Sequence, residues 1–370
     1  MNRRTYARAA SLTICIGLIF PALSGCDSSK ETTAPAVTES IASEPAFDLE
    51  AFAEFSREKE VITGVSFRDE LMTRSQTAGA IERLSGLGSL KRLRLGRSME
   101  LADTDFEMIG KLDSLEHLDL RACRVNDDRL LSLQRLGRLR SLRLSGRDTG
   151  SELSQSGVDA IGQLSSLKVL AIDFITIGDD GFSKLAQLEK MVELYAAATG
   201  ITDESASVVG KFRALKKLRL SSNALTSQAI ESWSSLDQLS ELDISDCQNV
   251  DSDSLSKLST FKSLTKLNLY NTSLDNRSWD SADFNSLAWL NVDKTMVGDE
   301  ALPFIGKLAN LKFLHLGSTK VTDRGMPDLA GLGQLEKLIV TRTAVTAAGV
   351  EKLQETLPDT KIQLVYEPGK

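Results

Sequence analysis

Leu115-Glu116-His117-Leu118-Asp119-Leu120, with Cys123 three residues further on, is the stretch that decides the fold. Leu118 and Leu120 alternate with His117 and Asp119, so a strand here buries one side and turns the other outward. The pattern L-x-x-L-x-L recurs with conservative replacements at Leu90, Leu115, Leu139, Leu167, Met191, Leu215, Leu239, Leu264, Leu287, Leu311 and Leu335. Successive starts lie 25, 24, 28, 24, 24, 24, 25, 23, 24 and 24 residues apart. After each strand comes a half with helical spacing, as in Met326, Leu329 and Ala330, or Val350, Leu353 and Leu357. Each unit is therefore a strand plus a helix or helical turn. Length alone, at 370 residues, would suggest two or three domains, but a stack of repeats grows without closing a separate core for each.

These units resemble leucine-rich repeats. The resemblance covers about residues 60 to 366 and implies an α/β fold: a right-handed solenoid, or horseshoe, with a parallel concave sheet and helices on the convex side. It also implies that a protein partner is held on the concave face. The turns Ile201-Thr202-Asp203, Val297-Gly298-Asp299 and Val321-Thr322-Asp323 are similar to the T-D-x-G type of secreted and envelope repeat proteins of environmental bacteria. They are nearer to the ribonuclease-inhibitor-like class than to internalin repeats. In each, the apolar residue points inward and the Thr or Asp is expected to cap the next helix. One or two acids per unit are too few for calcium, which wants six to eight oxygens. Cys123, Thr199, Asn223, Cys247, Thr272, Thr295, Thr319 and Thr343 share one position, where an inward side chain satisfies backbone groups of the turn. Cys123 and Cys247 stand five units apart, about 24 Å at the spacing of stacked strands, beyond the reach of a disulfide.

The two ends read differently. Arg3, Arg4 and Arg8 precede an apolar run from Ala9 to Leu23, ending in Leu23-Ser24-Gly25-Cys26. A basic start and a run too short for a comfortable membrane span read as a secretory signal over residues 1–25. The last four residues resemble the lipobox of bacterial lipoproteins, which implies cleavage before Cys26, lipidation of that residue, and attachment to a membrane of the cell envelope. Asp27 fits retention at the periplasmic side of an inner membrane under the enteric sorting rule, with the outer membrane as the alternative. Residues 26–45 have the Ser, Thr, Ala, Glu and Pro content of a flexible tether. Residues 46–89 are expected to form an N-terminal cap, with a helix from Phe47 to about Lys59 and a strand at Ile62, Val65 and Phe67. The repeats run over 90–358, and 359–370 form a C-terminal cap with a last strand at Ile362-Gln363-Leu364.

The x positions of the motif line the concave sheet, and these together with the positions just beyond each motif map its surface. Arg92, Arg94, Arg97, Arg121, Arg140 and Arg143 make a basic stripe near its start, with His117, Glu116 and Asp119 among them. Two readings stand: a solvated face partly balanced by those acids, or a surface for an anionic glycan, a phosphate or an acidic protein. Phe174 and Tyr195 lie further along. Tyr270, Trp289, Phe313 and His315 follow, beside Asn268 and Asn291. In a chain only 5% aromatic, such a group on one exposed sheet suits binding anchors. The long unit at Leu139 places its extra residues around Gly146 to Leu153, as a loop. A net charge of −7 gives no general pull toward nucleic acid. The only histidines, His117 and His315, are eight units apart, about 38 Å, and no metal-ligand or phosphate-loop motif occurs. The expectation is a binding module and not an enzyme, without cofactor or metal, holding an unknown protein partner or, as the alternative, an envelope polysaccharide.

Overall fold

The computed structural model describes residues 48–366. They form one sheet of fourteen strands in chain order. The strands are β1 (Ala53–Glu58), β2 (Val61–Phe67), β3 (Arg92–Arg94), β4 (His117–Asp119), β5 (Ser141–Ser145), β6 (Val169–Asp173) and β7 (Glu193–Tyr195), then β8 (Lys217–Arg219), β9 (Glu241–Asp243), β10 (Lys266–Asn268), β11 (Trp289–Asn291), β12 (Phe313–His315), β13 (Lys337–Ile339) and β14 (Lys361–Gln363). Every pair from β2 onward is parallel, and the eleven repeat strands β3 to β13 pair residue for residue at the motif positions. Short α- or 3-10 segments alternate with them, from Arg74–Ser85 to Ala347–Thr356. Strands contact strands and helices contact helices, which makes two layers over one continuous core. The motif leucines supply that core: Leu115, Leu118 and Leu120 are all within 1% of complete burial. No described helix is long and apolar enough to cross a membrane.

The N-terminal segment departs from expectation. In place of a helix to Lys59, a 3-10 turn at Leu49–Ala51 leads into β1, which runs antiparallel to β2 with Ala53 opposite Phe67 and Phe55 opposite Val65. Ala53 and Phe55 follow a period of two, and Ala53 is buried against the core. Lys59 and Glu60 make the turn with φ of 48° and 68°, a geometry that Asn-Gly or Asp-Gly ordinarily announces. The strand expected at Ile62, Val65 and Phe67 is present as β2, and that at Ile362 as β14. From within the last helix, Gln354 Nε2 donates to the carbonyls of Leu357, Pro358 and Thr360 at 2.7, 3.0 and 3.0 Å, fixing the turn into β14.

Two ladders fix one unit on the next. A Thr caps the helical segment that follows it in some units: Thr202 Oγ1 accepts from Glu204 N at 3.3 Å, and Thr346 Oγ1 from Gly349 N at 3.5 Å, whereas the turn at Gly298 has no side-chain cap. The Asp reaches forward, not to its own helix. Asp203 accepts from the N–H and hydroxyl of Thr226, Asp299 from those of Thr322, and Asp323 from those of Thr346, all within 2.8 Å. Gly349 belongs to this device, since a Cβ there would stand 2.1 Å from Asp323 Oδ1. The second ladder follows the strands. Ala198, Ser222, Asp246, Asn271, Lys294, Ser318 and Arg342 occupy one position in successive units, all with φ between 50° and 61°. The N–H of the first six donates to a carbonyl of the next unit at 2.8 to 2.9 Å, so the strand ladder extends through the turn.

Buried hydrogen bonds complete the turns as expected. Asn223 accepts from the N–H groups of Thr199, Gly200 and Ile201 and donates to the carbonyls of Ala196 and Leu220. Cys247 Sγ lies 3.4 Å from Leu220 O, and both Cys123 and Cys247 are free buried thiols. Burial pushes the Cys123 thiol up to about 12 and that of Cys247 to about 11. The loop around Gly146 to Leu153 is held against the stack: Ser151 Oγ accepts from Val125 N at 3.0 Å, and Leu153 is buried.

Candidate binding face

Parallel registration turns each outward motif position into a row across the sheet. The first row runs Arg92, His117, Ser141, Val169, Glu193, Lys217, Glu241, Lys266, Trp289, Phe313, Lys337 and Lys361. The second runs Arg94, Asp119, Arg143, Ala171, Tyr195, Arg219, Asp243, Asn268, Asn291, His315, Ile339 and Gln363. The sequence-predicted residues fall into two groups along these rows. Arg92, Arg94, Arg143 and Tyr195 come together over β3 to β7, while Trp289, Asn291, Phe313 and His315 come together over β11 and β12. Arg121 and Tyr270 follow their strands and stand on the rim. Cys26 lies outside the described residues, as do the expected signal segment and the whole of the expected tether.

The first group is a closed circuit of charge. Arg92 is 3.9 Å from Glu58, Arg94 donates to Phe67 O at 2.9 Å and lies 3.5 Å from Asp69, and Arg140 is 3.5 Å from Glu116. Arg121 meets Asp119 at 2.6 Å. Burial pushes Asp119 up, but the hydrogen bonds and charge of Arg121 outweigh it and hold the carboxyl below its ordinary range. Arg143 lies 3.7 Å from Glu193, which also accepts the Tyr195 hydroxyl at 2.9 Å. Burial and that carboxylate together raise the Tyr195 phenol. Arg143 and Arg219 stand over the Tyr195 ring at 5.7 and 5.3 Å, and Arg219 is ion-paired with the buried Asp173. An open depression of about 420 Å³ is lined by Arg92, Arg94, His117, Arg143 and Glu193 among others. Burial lowers the His117 pKa, which keeps its imidazole neutral at pH 7.

The second group is arranged on itself in a different way. Trp289 and Phe313 stack with ring centroids 4.9 Å apart and planes 5° from parallel. Lys266 Nζ stands 4.9 Å from the Trp289 ring centre. His315 lies 6.3 Å from the Phe313 centroid, and its Nδ1 is 3.0 Å from Asn291 Oδ1 and 3.4 Å from Asp293. Burial lowers its pKa, against the pull of Asp293. Tyr270, on the rim, has Lys294 Nζ 5.7 Å from its ring centre. Phe174 is likewise in a turn, under Arg147 at 4.0 Å. A second depression, about 180 Å³, joins the groups through Tyr195, Arg219, Asp243, Lys266 and Trp289. Among the described residues no three His, Cys, Asp or Glu side chains are placed to hold a metal ion.

Sequence reading missed Asp173, Glu193 and Glu58 as partners of the arginines, and Lys266, Lys337 and Lys361 as neighbours of the aromatic pair. The signal for the lysines was the register itself, since all three occupy the position of Trp289 in their own units.

Comparison with known proteins agrees with this architecture. No curated protein matches the chain by sequence. Among solved structures, an internalin of Listeria monocytogenes is similar at 19% identity over 86% of this chain and 88% of its own, with a TM-score of 0.59. A chain of the yeast Rad7 and Elc1 complex is similar at 16% over 81% and 86%, with a TM-score of 0.54. A leucine-rich repeat protein of Leptospira interrogans is similar at 19% over 80% and 82%, with a TM-score of 0.50. At these identities the likeness is one of fold, and it extends to an internalin, a class the turn motif had set further away. The family model for a leucine-rich repeat region matches residues 81–287. With that match spanning more than half of its residues, the chain belongs to the leucine-rich repeat family.

Proposed function

We propose that the chain is a binding scaffold, not an enzyme, whose open sheet face holds a segment of a protein partner. The observation that carries this reading is the stacked Trp289 and Phe313 pair, half-buried on a face that no described helix covers. Aromatic side chains held rigid by their neighbours bind with little loss of conformational freedom, which makes them efficient anchors. The alternative of a polysaccharide ligand fits this pair less well. A sugar ring packs on an exposed aromatic face, but Phe313 covers one face of the indole and Lys266 stands over the other.

The Leu23-Ser24-Gly25-Cys26 motif supports attachment of the scaffold to an envelope membrane through lipid on Cys26. Metabolic labelling with a fatty acid tests the anchor: label is expected on the native chain and absent from Cys26→Ser. Capture from solubilised envelope tests the face. A defined protein is expected to be recovered by the native chain and lost when Trp289→Ala and Phe313→Ala are combined. Undiminished capture by that double variant would remove the face from consideration.

A further inference from the structure

The first row changes character after β9. From β10 it reads Lys266, Trp289, Phe313, Lys337 and Lys361, an aromatic pair with a lysine on one side and two on the other. The second row beside it reads Asn268, Asn291, His315, Ile339 and Gln363, with no carboxylate. Neither Lys337 nor Lys361 forms an ion pair among the described residues, and Lys266 has only the Trp289 ring. The carboxylates nearest in register are engaged elsewhere: Glu241, opposite Lys266 on β9, pairs with Lys217 at 2.9 Å, Asp243 accepts from the Asn268 amide at 3.0 Å, Asp293 faces His315, and Glu336 pairs with Lys312 at 3.2 Å. Asn291 uses its amide oxygen for His315 and for Asp293 N, which leaves its amide nitrogen without a partner among the described residues.

What the aromatic pair offers also matters. Both faces of the indole are taken, so its rim is the part left for a ligand. The rim of an aromatic ring is the positive part of its quadrupole. Ring rims, ammonium groups and an amide donor therefore present one sign of potential along this half of the face, and that sign calls for an anion. Lys266 and Lys337 are three strand steps apart, about 14 Å. An extended peptide covers that distance in about four residues.

We propose that the β10 to β14 half of the face takes an extended acidic segment of a protein. Two carboxylate side chains about four residues apart meet Lys266 and the Lys337 and Lys361 pair, with an apolar side chain between them against the Trp289 and Phe313 rims. This assignment rests on the face-binding reading above and specifies its ligand.

The test uses the full chain in detergent and two capped synthetic peptides, Asp-Ala-Leu-Ala-Asp and Lys-Ala-Leu-Ala-Lys, followed by calorimetry and tryptophan fluorescence. Trp233 and Trp279 are buried, so a ligand on this face reaches the emission of Trp289. The acidic peptide is expected to bind saturably and more weakly as salt rises, while the basic peptide does not bind. Lys337→Glu, and separately Lys361→Glu, are expected to weaken binding at least tenfold with the thermal midpoint unchanged. Lys168→Glu, the same charge change at an exposed lysine of the unit carrying β6, is expected to leave binding as it was. Absence of both heat and fluorescence change, equal binding of the basic peptide, or an equal loss with Lys168→Glu would overturn the assignment. So would tighter binding of polygalacturonate than of the acidic peptide. If Lys337→Glu still captures the envelope protein that the Trp289 and Phe313 double variant loses, the face reading survives and the acidic ligand alone falls.

Discussion

The two halves of the open face carry unequal numbers of cations and use them in opposite ways. Over β3 to β9, Arg92, Arg94, Arg121, Arg143, Lys217 and Arg219 each have a carboxylate within 3.9 Å. Over β10 to β14, Lys266, Lys337 and Lys361 have none. A basic stripe in sequence is thus a poor guide to available charge, because an arginine already neutralised by its neighbour offers a ligand little beyond its remaining donors. The half that looks less basic by count is the one with charge to give.

The largest effect that separates the halves is expected at Arg219. Its partner Asp173 is 9% exposed and keeps only the N–H of Ala197, at 2.9 Å, once the guanidinium is gone. Leaving a buried carboxylate short of its counter-charge costs about 2 kcal/mol. Urea denaturation of Arg219→Ala should show that loss as a lower midpoint at unchanged slope. A shift equivalent to under about 0.5 kcal/mol, the usual scale of a surface substitution, would mean that the β3 to β9 charges are as dispensable as the lysines. Next in size is the aromatic pair. A double-mutant cycle on Trp289→Ala and Phe313→Ala should return a coupling of about 1 kcal/mol, the range for stacked rings. Simple additivity would show that the rings only share a surface.

Much of this frame was legible because leucine periodicity is dictated by the core. Leu115, Leu118 and Leu120 and their equivalents have to be apolar wherever a unit buries its strand, and the repeat length then fixes which residues share a row. Trp289 and Phe313, one unit apart, were placed together on that ground alone. The stack of capping groups was half legible: Thr at the N-cap is a local signal, whereas the forward reach of Asp299 to Thr322 is a contact between units 23 residues apart. The left-handed turns left no trace, since Ala198, Ser222, Asp246 and Lys294 have nothing in common as residue types. There the ladder bond to the next unit imposes the conformation. The ion pairs were hidden by the same distance. Asp173 and Arg219 are 46 residues apart, two units, and nothing local to either residue names the other. The N-terminal hairpin was misread as a helix because its turn, Lys59-Glu60, lacks glycine and asparagine.

The smallest expected effect is also the one whose sign tells the halves apart. Lys337 and Lys361 are directly opposite on adjacent strands, and like charges so placed repel. In water two unit charges a few ångströms apart repel by about 1 kcal/mol, and salt screens most of it. Lys337→Ala should therefore leave stability within about 0.5 kcal/mol of the native chain and raise it slightly at low salt, with the difference closing as salt is added. Arg219→Ala must go the other way under every condition. A marked loss of stability in Lys337→Ala would assign that lysine a structural partner and remove the reason to treat it as free. If the gain is found, the native chain keeps an unfavourable contact that folding does not require, and a carboxylate brought to that pair by a ligand relieves it on binding.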